Sequence, residues 1–217
     1  MKLNRNNTLL LIAFAFYSFA SFSPAHEITI KFFGNCGLYM TDGNLDIYTD
    51  FPCKSGAYGY MEYNEAELDS IKGNSIFLFT HKRADHYLGK KVRQVLRAKK
   101  GKKFTPWRTS QLEKFSKTIP DFNVQVFRTK HRFSLKHNLY LITWRGKKIF
   151  LSGDTESAET IGKIEGIDWA FLPSWILIDA EEKNIKIDAK MRALYHIYPN
   201  EIIEGEIPAR KIGRAHV

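Results

Sequence analysis

The chain has 217 residues, 44% of them hydrophobic and 14% aromatic. That is enough for one sizeable core, and it excludes a disordered, coiled-coil or collagen-like polypeptide. The formal net charge is +10, but the ends inflate it: setting aside Lys2, Arg5 and Arg214 leaves 30 basic residues against 23 acidic ones, or +7.

Residues 1–25 read as a secretory signal peptide. Lys2 and Arg5 form a basic start, "LLLIAFAFYSFASF" an apolar middle, and Ser23 and Ala25 are small residues suited to cleavage. The apolar run falls short of the ~20 residues needed to span a bilayer. Cleavage after Ala25 and export to the periplasm or medium are therefore expected, without a stable membrane anchor. "EITIKFF" (27–33) alternates as a half-buried strand does, and "CGLYMT" and "LDIYTDF" flank a hairpin turn at Asp42-Gly43. Export would allow Cys36 and Cys53 to pair. A two-residue turn sets Cys36 opposite Thr49, however, which counts against a bridge.

Further along, 65–72 is expected to be a helix and "SIFLF" (75–79) a buried strand. Leu88, Val92, Val95 and Leu96 recur at helical spacing. The basic run 90–103 reads as the solvated face of that helix and its exit turn, and no nucleic-acid partner is expected. "KFTPW" reads as an edge segment because Pro106 cannot join a ladder, and 110–115 as a short helix. "NVQVFRT", "NLYLITW", a turn at 145–147 and "KIFLSGD" form a second block of strands. A helix over "SAETIGKI" and the apolar runs "DWAFLPSWILI" and "RALYHIY" follow. Two strand blocks, separated and followed by helices with no linker, predict one α/β domain over 26–211: a four-layer α/β/β/α sandwich. The final "IGRAHV" (212–217) looks like the in-frame translation of a sequencing adapter. On that reading the domain is incomplete at its C-terminus.

Chemistry gathers at strand ends. "THKRADH" (80–86) places His81, Asp85 and His86 in a tight loop after "SIFLF", a donor set suited to a divalent cation. "FLSGDTE" exposes Asp154 after an apolar strand, where an N-cap is the plainer reading. His131 ends "VQVFRT", and His196 lies in "ALYHIYP". Each histidine alone reads as packing or surface, but ligand-type side chains recurring at strand ends describe a site between two sheets.

These segments resemble the metallo-β-lactamase superfamily, whose signature Thr-His-x-His-x-Asp-His matches "THKRADH" except at one histidine. "DFP" (50–52), "SGDT" and His196 follow in the family's order, so the resemblance runs from about Glu27 to Pro199. It implies Zn²⁺, or Fe or Mn, one or two ions. His81 and His131 would belong to the first site, and Asp85, His86 and His196 to the second, with Asp154 bridging. His137 rivals His131. The "GNCGLYM" and "SGDTES" segments look most like the branch of lactone hydrolases and N-acyl phospholipid-cleaving enzymes, ahead of antibiotic-degrading β-lactamases.

Arg83 stands where the family has its second histidine, and a guanidinium has no lone pair for a metal. Three readings follow. In one, the second site fills alone and Arg83 holds a carboxylate, phosphate or developing oxyanion, so that Asp85 and Arg83 carry catalysis. In another, the site has decayed. In the last, Arg83 is a one-base change or a sequencing error. The expected function is an exported metallohydrolase acting on an ester, lactone, amide or phosphodiester bond of a small, anionic substrate. The alternative is a non-catalytic binder of anions on the same fold. Nothing in the sequence specifies an oligomeric state.

Overall fold

The computed structural model describes residues 27–54, 63–132 and 134–197, and the backbone of 215–216. The leader read over 1–25 lies outside the described residues, as does most of the tail. The first sheet runs β1 (Thr29–Gly34), β2 (Gly37–Thr41), β3 (Asp46–Thr49), β4 (Ile76–Leu78) and β5 (Lys102–Phe104). A two-residue strand, β11 (Ala215–His216), pairs with the outer side of β1. The second sheet contains β6 (Phe122–His131), β7 (Ser134–Trp144), β8 (Lys147–Leu151), β9 (Ile167–Pro173) and β10 (Ala189–Tyr195), again in chain order. Both sheets are mixed: β3, β4 and β5 are parallel, as are β8, β9 and β10, and the remaining neighbours are antiparallel.

The layers follow from strand periodicity. In β4 and its exit, Ile76 and Leu78 face the core between the sheets, while Phe77 and Phe79 face α1 (Gly89–Lys99) outside. Val92 and Val95 of α1 complete that outer cluster, and Lys90, Arg93 and Arg97 remain exposed, as the basic run predicted. On the other flank, Ile176 and Ala180 of α3 (Ser174–Glu182) cover Leu139, Phe150, Ala170 and Leu172. A third helix, α2 (Thr109–Ser116), adds Leu112 and Phe115 to the central core. Full burial of each such large side chain stabilises the fold by about 1.5–3 kcal/mol. The predicted sandwich is therefore present.

Three expectations are corrected. The helix read over 65–72 is a single 3-10 turn, Glu65–Leu68, capped by Asn64, because one turn's worth of apolar contacts cannot sustain an α-helix. The helix read over 157–164 shrinks to Ile161–Lys163; Ala158, Ile161 and Ile164 recur every third residue, which is the 3-10 period, and all are buried. The β2–β3 hairpin turns through four residues rather than two. Asp42 Oδ1 accepts from the N–H groups of Asn44 and Leu45 and holds the longer loop. The register therefore pairs Leu38, not Cys36, with Thr49, and no disulfide bridges Cys36 and Cys53.

Candidate metal centre

Parallel strands release their carboxyl ends on one side of a sheet, where sites are usually built. Asp50 follows β3, His81 follows β4 by three residues, Asp154 follows β8, and His196 follows β10; His131 closes β6. Loops at these ends bring all six sequence-derived site residues into one pocket. His81, Asp85, His86, Asp154 and His196 are buried, and His131 is nearly so at its side chain.

Two groups share Asp154. In the first, Asp85, His86, Asp154 and His196 place their donor atoms within 4.8 Å of one another. His86 Nε2 is 2.9 Å from Asp154 Oδ1, while His196 Nε2 is 3.4 Å from Asp154 Oδ2 and 3.7 Å from Asp85 Oδ2. Two nitrogen or oxygen donors on one tetrahedral ion stand ~3.4 Å apart, so these residues fit a divalent cation. The second group is His81, His131 and Asp154, with Nε2 atoms 3.7 and 3.9 Å from Asp154 Oδ2. His81 Nε2 is buried without a hydrogen-bond partner, as a donor waiting for an ion would be.

Charge distinguishes the groups. Burial alone would lower the pKa of His86, but Asp154, Cys36 and Asp50 outweigh it and hold the imidazole well above its ordinary range. Burial likewise opposes ionisation of Asp154, yet His86 and His196 keep it well below the carboxylate range. His196 is raised against its burial by Asp154 and Asp85. In contrast, burial and then the His86 charge push His81 far below the usual histidine value.

Arg83 enters the second group. Its Nη1 lies 3.2 Å from His131 Nε2, and its Nε 3.5 Å from Asp85 Oδ1. Arginine can only donate, so His131 Nε2 must accept; the ring proton then sits on Nδ1, which faces Glu156 Oε1 at 3.3 Å. The guanidinium thus occupies the lone pair that a metal would need. His137, the rival, uses its Nε2 to accept the Asp154 backbone N–H at 2.9 Å, and burial lowers its pKa to about 3. It holds the Asp154 loop in place, whereas His131 joins His81. Gly153 makes this packing feasible: at φ +52, a Cβ would lie 2.6 Å from His137 Nε2 and 2.8 Å from Thr80 Cβ.

Sequence reasoning noticed Asp50 and Cys36 but gave neither a place in the site. Asp50 Oδ2 accepts from Thr80 Oγ1 at 2.6 Å and lies 2.9 Å from His86 Nδ1, so it fixes which His86 nitrogen faces the pocket. Its signal was the carboxylate at a strand end in "TDFP". Cys36 Sγ touches the same imidazole. Trp175 sets its ring against His196, with centroids 5.3 Å apart, and donates from Nε1 to Thr155 O.

No family profile matches the sequence, and no curated protein is significantly similar. Solved structures do match. Igni18, a metallo-hydrolase from the hyperthermophilic archaeon Ignicoccus hospitalis, aligns at TM-score 0.59 and 14% identity over 78% of this chain and 82% of its own. The metallo-β-lactamase fold protein YhfI from Bacillus subtilis gives 0.58 and 11% over 82% and 88%. A proposed metal-dependent hydrolase from Parabacteroides distasonis gives 0.55 and 20% over 80% and 84%. At such identities the likeness is one of fold, and the fold is that of the metallo-β-lactamases.

Proposed function

We propose that this metallo-β-lactamase-fold chain is an exported, metal-dependent hydrolase of ester, lactone, amide or phosphodiester bonds in small anionic substrates. The leader over 1–25 would be removed, and its branch would be that of the lactone and N-acyl phospholipid hydrolases. The observation that carries the reading is the buried Asp85–His86–Asp154–His196 quartet, whose donor atoms all lie within 4.8 Å of one another. Buried acids and imidazoles without an ion are costly to assemble, and such clusters are characteristic of metal sites. A divalent cation (zinc, with iron or manganese as alternatives) supplies Lewis acidity and an acidified water when bound.

The chain's own residues do the rest. Asp50 and Thr80 orient His86, and His137 anchors the Asp154 loop. Asp85 aims Arg83, whose side chain is 29% exposed and can pair with a substrate carboxylate, phosphate or oxyanion. Because Arg83 already engages His131, the His81–His131 half is expected to load poorly, leaving about one ion where a full pair would hold two.

Elemental analysis of the purified full chain tests this, together with turnover of an ester, lactone and phosphodiester panel with and without chelator. About one equivalent of metal and chelator-sensitive turnover are expected. Less than about a tenth of an equivalent, even after incubation with zinc, iron or manganese, would sink the reading. A second reading, an anion-binding protein without turnover, draws on the Arg83–His131 contact. Bound metal with no turnover on any substrate would favour it.

A further inference from the structure

We infer that Lys82, Lys103 and Lys136, set against the rings of Trp107 and Tyr87, form a seat for a phosphate dianion beside the metal pocket and separate from Arg83. Its use as an anchor for the far end of a substrate rests on the hydrolase reading above; its capacity to bind the anion does not. Lys82 Nζ lies 4.6 Å from the centre of the Trp107 ring and 5.8 Å from that of Tyr87. Lys136 Nζ lies 5.5 Å from the Trp107 centre. Lys103 Nζ lies 5.7 Å from the Tyr87 centre and donates to the Tyr87 hydroxyl at 3.3 Å. Ammonium and ring thus alternate from β5 to β7. Significant cation–π contacts occur about once per 70–80 residues, so four of them on two rings are a marked local excess.

Charge indicates what the cluster is for. Lys31, Lys91, Lys183 and Lys190 each pair with a carboxylate. Among the described residues, Lys82, Lys103 and Lys136 make no such pair; rings hold them instead. A ring face keeps an ammonium in place without neutralising its charge. Three like charges therefore stand together around an indole that is 45% exposed, and an arriving anion gains from all of them. An ammonium is a point charge with no fork geometry, so the cluster suits a tetrahedral oxyanion better than a planar carboxylate.

Asn138 supplies an independent indication that the arrangement is built. It is 1% exposed and stands two residues after Lys136 on β7. Its backbone N–H donates to Thr80 O at 2.9 Å, two residues before Lys82. Its Nδ2 donates to Pro106 O at 3.4 Å, next to Trp107. One buried side chain therefore joins the three segments that carry Lys82, Trp107 and Lys136, and Lys103 enters from β5, which leads into the Trp107 turn. A frame fixed before the ligand arrives lowers the ordering cost of binding. Lys82 also lies between His81 and Arg83 in the chain, and Lys136 precedes His137, so the seat borders the pocket.

The purified full chain should bind methyl phosphate more tightly than acetate, read by calorimetry and by a change in tryptophan fluorescence. Lys82→Gln and Lys136→Gln, both at exposed positions, should each weaken phosphate binding about fivefold. Lys147→Gln, beyond the other end of β7, should leave it unchanged. Trp107→Phe keeps a ring for the lysines and should lose the fluorescence change. Phosphatidylcholine vesicles with and without phosphatidic acid tell a lipid-borne phosphate from a free one; binding of either that depends on Lys82 and Lys136 upholds the seat. Absence of phosphate binding in both forms, equal affinity for acetate, indifference to both lysines, or a fluorescence change that survives in Trp107→Phe overturns it. None of these results touches metal content or chelator-sensitive turnover, on which the hydrolase reading stands. Lysine-dependent phosphate binding in a chain that holds no metal would uphold the seat while that reading falls.

Discussion

The two halves of the pocket use the same residue types and share Asp154, yet they behave oppositely. In the His86–His196 half, carboxylates outweigh burial and hold the imidazoles charged; at His81 and His137 burial outweighs the attraction of Asp154 and holds the rings neutral. In the first half the charges of His86 and His196 are balanced by Asp154 and Asp85. The second has an uncompensated nitrogen, His81 Nε2, and a guanidinium across its outer histidine. On the proposed reading, one side chain, Arg83 against His131 Nε2, would keep the second half from loading.

The largest effect should come from Asp154→Asn, which removes the carboxylate common to both halves. Losing it leaves His86 charged with one partner fewer, at a cost of about 3–5 kcal/mol in the metal-free chain. Metal affinity should fall by more than ~100-fold, beyond what residues that only orient ligands contribute. Chemical denaturation and metal titration read the two effects. Retained affinity would mean that the halves are not joined through this residue.

Acid should separate the halves next. His81 and His137 have lowered pKa values when folded, so the unfolded chain binds protons that the folded chain refuses. Stability then falls below pH ~6.5 by about 1.4 kcal/mol per pH unit for each histidine. For His137 the fall continues to its folded value of about 3. His86 and His196 are raised: their contribution is complete below ~6.5 and is lost only as pH climbs through their folded values. Metal-free protein should therefore lose about 2–3 kcal/mol per unit between pH ~6 and ~4, measured by urea unfolding. His137→Gln, which keeps an acceptor for the Asp154 N–H, should roughly halve that slope.

A smaller change tests how the stronger half is oriented. Asp50→Asn removes the carboxylate behind His86 and should weaken metal binding by about 10–100-fold while leaving the ligands in place. An unchanged binding isotherm would show that Thr80 and Cys36 suffice to hold the ring. The most delicate test is Arg83→His. It should free His131 Nε2 and raise metal content from about one equivalent toward two. If content does not rise, the block lies elsewhere than in the guanidinium.

Much of the strand plan was legible in the chain. "SIFLF" alternates between two buried faces, and "KIFLSGD" ends at the carboxylate it presents, because side-chain direction in a strand is set locally. Short apolar stretches were less readable. Ala158, Ile161 and Ile164 suit a helix face on paper, but their period of three and their packing on the second sheet select a 3-10 turn. The Asp42-Gly43 turn was misjudged by two residues, since Asp42 is held by Trp144 and Arg145 from more than a hundred residues away.

The sequence by itself determined the two blocks of strands and placed the six candidate site residues at strand ends, because periodicity and donor chemistry are properties of neighbouring residues. Only the tertiary structure decided that His131 rather than His137 sets a donor atom beside those of His81 and Asp154, that Asp50 backs His86, and that Cys36 lies against that imidazole instead of bridging Cys53. Those choices depend on which loops meet across two sheets. Packing brings together residues 36 and more positions apart, at separations no local pattern encodes.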